Sequence, residues 1–259
     1  MTTPGTPQLL AEDLWLPRNW AAQPATTTHD RPWPEVIVIG LVLGWNLVTN
    51  LLIPDTVYIP VNVVAVALLV VLAIRTGTSF DHLGMRPDRI KRGIGVGAVT
   101  ATVILVIIAG LAAFSPTRDF LADDRFLGVG TPEALFETLV RIPIGTAAAE
   151  EIVFRGVLLG MFLRRMSPLA AVLFSSVLFG FWHVIPALDS IQTNPAGDLA
   201  TGSLAVAGIV AGEVLATAAA GSILAWLRFR ANSIVAPITA HFAINSIAYM
   251  TGWLIVGTR

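Results

Sequence analysis

The chain has 259 residues, of which 55% are hydrophobic and only 13% charged, a balance that excludes an ordinary water-soluble domain and leaves lipid to cover much of the surface. Sixteen Lys and Arg against seventeen Asp and Glu give a formal net charge of -1, so no bulk field gathers nucleic acid or an anionic substrate. The absence of cysteine removes disulfides, thiolate metal ligands and a cysteine nucleophile together, leaving Glu, Asp, His, Ser and Thr for chemistry.

Residues 1–34 are rich in Thr, Pro and polar residues. They lack the basic start, apolar run and small-residue cleavage site of a signal peptide, and are read as a cytoplasmic or interfacial segment of the mature chain. Trp15, Trp20 and Trp33 in this segment suit the headgroup level. A spanning helix needs about 20 mostly apolar residues. Seven stretches qualify, near 35–53, 57–74, 93–114, 132–164, 169–188, 202–227 and 234–256. Pro54, Asp55 and Pro60 mark the first turn and Ser115-Pro116 stops the third span. The front of the fourth stretch, from Pro132, is polar enough to form a separate interfacial helix. With no internal repeat and no long linker, the expected fold is all-α: one polytopic helix bundle over 35–256, about seven transmembrane helices plus an interfacial one.

Lys and Arg favour the cytoplasmic side of short loops. With the N-terminus inside, Arg18, Arg31, Arg75, Arg86, Arg89, Lys91, Arg92, Arg164, Arg165, Arg228 and Arg230 all fall in the cytoplasm, against Arg118, Arg125 and Arg259 outside. The loops with Asp55, Asp189 and Asp198 carry no basic residue and face outward. The expected location is therefore the cell membrane, multi-pass, with a cytoplasmic N-terminus.

An ionisable side chain deep in a span costs about 2.5–3.5 kcal/mol on insertion scales, so such residues usually face the bundle interior and mark function. Here they cluster: Glu150, Glu151 and Arg155 in the fourth stretch, Phe179 and His183 in the fifth, His241 and Asn245 in the seventh. Glu151 and Arg155 stand one turn apart with the acid first, the favourable order for an ion pair. Glu150 is rotated about 100° from Glu151 and is free to activate a water. His241 and Asn245 share a face, so an imidazole and a carboxamide can reach one carbonyl as oxyanion support. Phe179 and His183 share a face in the same way, the ring orienting an imidazole that can assist the water or stabilise the tetrahedral intermediate.

These three motifs, EExxxR, FxxxH and HxxxN, in this order on separate membrane helices, resemble the CAAX protease and bacteriocin-processing (CPBP) proteins, also called the ABI or type II CAAX endopeptidase family. The resemblance covers about Pro132 to Val256 and departs from the pattern at no motif residue. It implies hydrolysis of a peptide bond within or beside the membrane, in a membrane-associated or lipid-modified protein or peptide. By position, Glu150 resembles the water-activating glutamate, His183 its partner, and His241 with Asn245 the oxyanion pair, while Glu151, Arg155 and Phe179 support them. A metal-free mechanism with no cofactor is the expectation. Zinc held by Glu150, His183 and His241 is the alternative, since His₂Glu with an open water position is a known catalytic arrangement.

Other polar residues are given structural roles. Glu213, in the sixth span, is expected to make an interhelical hydrogen bond, with the lining of a substrate cavity as the second reading. Arg141 is read as an interfacial anchor, His29 and His82 as solvated loop residues, and Trp182, Trp226 and Trp253 as packing or interface anchors. The basic loop Gly77 to Arg92 meets anionic headgroups. The small residues of Gly208-Ile-Val-Ala-Gly212 permit close helix approach. Two other functional classes compete with the protease: a non-catalytic membrane partner or immunity protein of the same family, and a proton-coupled transporter, against which the lack of an inverted repeat counts. A membrane-bound peptide or protein is the expected partner, not nucleic acid; oligomeric state is not legible.

Overall fold

Long apolar runs broken by Pro, Gly and polar turns make helices, and a computed structural model describing residues 33–193 and 202–257 contains helices and no strand among those residues. In chain order they are α1 (Trp33–Leu51), α2 (Tyr58–Arg75), α3 (Ile90–Ala113), α4 (131–162), α5 (Pro168–Trp182), α6 (Val184–Thr193), α7 (Ser203–Ala231) and α8 (Val235–Gly257), joined by short helical turns. The readings placed on Trp15, Arg18, Trp20, His29, Arg31, Asp198 and Arg259 lie outside the described residues.

Five segments, Trp33–Leu51, Asp55–Arg75, Phe80–Ala113, Pro168–Thr193 and Ser203–Ala231, are long and apolar enough to cross a membrane. The chain is thus an all-α, multi-pass membrane bundle. The other two expected spans are α4 and α8. They have the length, α8 being 23 residues or about 34 Å long, and polar residues of the motifs dilute their apolarity.

The front of the fourth stretch is not a separate interfacial helix. It runs without a break into α4, with Pro132 in the first turn, where its missing N–H costs nothing. From Glu137 to Ala148 and again from Ile152 to Leu158 the backbone winds in wide i→i+5 turns, with an α-helical turn at Ala149–Glu151 between them. Such turns are rare and gather at functional sites. In wide turns of about 4.4 residues, Glu137, Arg141, Thr146 and Glu150 fall on one face, whereas 3.6-residue turns would place the last two opposite the first two. The side chains follow the wide register: Arg141 bonds Glu137 at 3.2 Å and lies 4.6 Å over the Tyr58 ring, and the Tyr58 hydroxyl is 3.5 Å from that of Thr146.

The inner half of α4 is apolar all round and is the buried axis of the bundle. Val153, Phe154, Val157, Leu158, Leu159 and Met161 are fully buried, packed by Val38 and Val42 of α1, Leu69 and Ala73 of α2, and Phe179 and Trp182 of α5. Close helix approach occurs between α3 and α8: a methyl group added at Gly93 would lie 2.7 Å from the Ser233 hydroxyl, and one at Gly97 2.6 Å from Thr239 Cβ. The expected site of close approach, Gly208 and Gly212, has open space instead.

The loops sort to two ends in the way the basic residues predict. At one end Arg165 bonds Glu35 at 2.7 Å, Arg164 bonds the Thr76 carbonyl at 3.0 Å, Arg228 donates to the His82 carbonyl, and the Ile234 amide bonds the Gly84 carbonyl at 2.8 Å. At the other, Arg141 bonds Asp55 at 2.6 Å and the Trp253 indole bonds the Val129 carbonyl at 2.9 Å. Counted along straight helices, Glu150 lies about 21 Å from Arg164 while His241 lies only about 10 Å from Ile234, at the same end. The structure reconciles the two depths. Glu151 meets His241, and Thr138 meets Ser246, contacts more than three turns apart on α4 and about one and a half apart on α8. Wide turns advance α4 less per residue, which brings the two spacings closer.

Candidate active site

Glu150 and Glu151 occupy the one α-helical turn between the two wide segments of α4, against α8. Four charged or titratable groups are buried together there: Glu150 is 6% exposed, Glu151 0%, Arg155 1% and His241 5%. Arg155 donates to Glu151 Oε1 at 2.8 Å, the pair predicted from their spacing. Its guanidinium also stacks 3.9 Å over the Phe179 ring and passes close to Gly221, where an added Cβ would come within 2.8 Å of Arg155.

Glu151 does more than neutralise Arg155, because the same Oε1 lies 2.9 Å from His241 Nδ1. A carboxylate only accepts, so Nδ1 carries the proton, and the imidazole is fixed with Nε2 directed to Glu150 Oε2 at 3.9 Å. That Glu150 oxygen is buried and has no hydrogen-bond partner among the described residues.

The other Glu150 oxygen accepts from the Trp182 indole at 3.1 Å. Trp182 was expected to be a packing residue. It is that, with its ring 4.9 Å from Trp45 and 5.5 Å from Phe154, and it also supplies the hydrogen bond that orients Glu150. The chain of contacts continues: the Trp45 indole donates to Asn62 at 3.0 Å, Asn62 donates to the Gly145 carbonyl at 2.9 Å, and Asn46 donates to the Trp182 carbonyl at 3.1 Å. Sequence reasoning passed over Asn46 and Asn62, although a polar side chain inside an apolar span is the same signal that singled out Glu150.

His183 ends α5, and its Nδ1 lies 2.8 Å from the Phe179 carbonyl, one of the acceptors that a helix terminus leaves over. A carbonyl also only accepts, so Nδ1 carries the proton here too and Nε2 keeps a lone pair. The Phe179 ring sits between the histidines, centroids 4.5 Å from His183 and 5.9 Å from His241. Asn245 is half-buried one turn beyond His241 on α8, with no side-chain hydrogen bond among the described residues. Among the described residues no group of three acidic or histidine side chains is placed to hold a metal ion; the Nδ1 contacts of His183 and His241 leave both Nε2 atoms open, as they also are in histidines that ligate metal.

One peripheral residue differs from expectation. Glu213 makes no side-chain hydrogen bond among the described residues and is exposed on α7, in the half of that helix that packs least against the bundle. Arg141, read as an interfacial anchor, pairs with Asp55 and Glu137 at one end of the bundle.

The centre of the multi-pass helical bundle thus buries a glutamate facing a histidine, beside a second glutamate balanced by an arginine. Residues 132–247 match the family model of the type II CAAX prenyl endopeptidase, Rce1-like proteins, consistent with the CPBP resemblance. The match covers the part of the chain that carries the site. No curated protein and no solved structure matches the chain.

Proposed function

We propose that the protein is an intramembrane endopeptidase that hydrolyses a peptide bond in a membrane-associated or lipid-modified protein or peptide, with Glu150 as the base. The observation that carries the reading is the pair of atoms Glu150 Oε2 and His241 Nε2, buried 3.9 Å apart with the carboxylate oxygen unpartnered. A water between them gives one proton to Glu150 as its oxygen attacks the scissile carbonyl, while the His241 lone pair holds the second hydrogen. Glu150 then passes the proton to the departing amine nitrogen as the C–N bond breaks.

Tautomer logic refines the oxyanion support. Neutral His241 and neutral His183 both present Nε2 as an acceptor, so neither donates to an oxyanion until it is protonated. Asn245, whose amide has no partner among the described residues, is the neutral donor available for it. His183 is left to accept from the water or the substrate amide. No step in this scheme needs a metal or a cofactor.

The distribution of Lys and Arg supports the cell membrane as location with a cytoplasmic N-terminus. The experiment is cleavage of a peptide library by detergent-purified protein, comparing wild type with Glu150→Gln and His183→Ala, with and without exhaustive chelation. Wild-type cutting that both substitutions reduce to background and that survives chelation is the expected result. Activity lost to chelator and restored by zinc would overturn the metal-free mechanism; cutting retained by Glu150→Gln would overturn the base.

A further inference from the structure

Pro143 lies inside the wide-turn segment of α4. A proline has no N–H to give, and in an i→i+5 ladder the carbonyl it fails to serve is that of Thr138. In a 3.6-residue helix it would instead be that of residue 139. The Thr138 carbonyl is the one that receives an outside donor: Ser246, on α8, donates its hydroxyl to it at 2.9 Å, and both residues are buried. A buried backbone carbonyl that proline leaves unserved needs another donor, and here a neighbouring helix supplies it. Ser246 follows directly after Asn245 and lies on the helix that carries His241.

We infer that Ser246 is a positioning residue, and that its bond to the carbonyl released by Pro143 locks α8 against α4 so that His241 and Asn245 meet Glu150 in register. The lock is specific to the wide winding: only that register puts the unserved carbonyl at Thr138, where the α8 hydroxyl waits. The same turns bring Glu150 to the site, so one backbone irregularity both aims the acid and creates the acceptor that docks its partners. A second contact, between Glu151 and His241, fixes the ring; the Ser246 bond, farther along α8, fixes the helix.

The inference rests on the endopeptidase reading for its catalytic part only, and two readouts separate them. The first is unfolding in mixed micelles of wild type, Ser246→Ala, Pro143→Ala and the double variant. Restoring an N–H at 143 lets the backbone serve the Thr138 carbonyl, so Ser246→Ala is expected to lower stability clearly in the wild-type background and much less in Pro143→Ala. Equal losses in both backgrounds overturn the lock, whether or not the protein is seen to cut peptide.

The second readout is steady-state cleavage. Ser246→Ala is expected to lower kcat about tenfold with KM little changed, Ser246→Thr to restore most of it by keeping the hydroxyl, and Pro143→Ala to reduce the effect of Ser246→Ala. A Ser246→Ala enzyme with wild-type kcat, or a loss seen equally in Ser246→Thr, overturns the positioning role. If the wild type itself fails to cut while the stability coupling is present, the lock stands and the endopeptidase reading is what falls.

Discussion

Both histidines of the site are held through Nδ1, His241 by a carboxylate and His183 by the carbonyl at the end of its own helix. Each hydrogen bond selects a tautomer and leaves Nε2 for chemistry. Glu150 is treated likewise: one oxygen is tied to Trp182 and the other is left without a partner among the described residues. Replacing Trp182 by Phe keeps an aromatic ring against Trp45 and Phe154 and removes the N–H together with part of the ring. We expect kcat to fall on the order of tenfold to a hundredfold, with KM unchanged, in steady-state peptide cleavage; a wild-type kcat would show that the indole only packs. The Glu151–Arg155 pair was legible because i,i+4 spacing is a property of one helix. The third member, His241, was not, since it lies ninety residues away in sequence and no spacing rule reaches across helices.

At the scale of elements, the motif helices could be recognised and their winding could not. Pro143 announces a disturbed ladder, but whether the chain answers with a kink or with wide turns depends on which neighbours satisfy the freed groups. Small residues misled for a similar reason. Gly93 and Gly97 on α3 and Gly208 and Gly212 on α7 carry the same spacing, and only the first pair meets another helix. Gly97→Leu should therefore push α3 off α8 and destabilise the bundle by about 1–3 kcal/mol, measured by unfolding in mixed micelles, whereas Gly208→Leu should leave stability within about 0.5 kcal/mol of wild type. Equal effects at the two sites would contradict the packing of α8 on α3.

At the scale of the whole molecule, the loops that the distribution of Lys and Arg assigns to one side are joined by hydrogen bonds and ion pairs at one end of the bundle, from Arg165 and Glu35 to Arg228 and His82. The native chain has no cysteine, so any introduced thiol is unique. In intact cells a membrane-impermeant thiol reagent is expected to label Thr117→Cys readily and Ser79→Cys only after the membrane is opened. The reverse pattern would invert the orientation.

The sequence by itself determined the class of solvent, the helical fold and which pair lies one turn apart. Hydropathy, the cost of burying charge in lipid and the periodicity of a single helix are all local properties. Only the tertiary structure decided that Glu151 orients His241, that Trp182 and the asparagines of α1 and α2 reach the site, which glycines meet a neighbour, and that Ser246 serves the carbonyl Pro143 leaves open. Each depends on where two separate helices cross, and that is set by the packing of the whole bundle around α4.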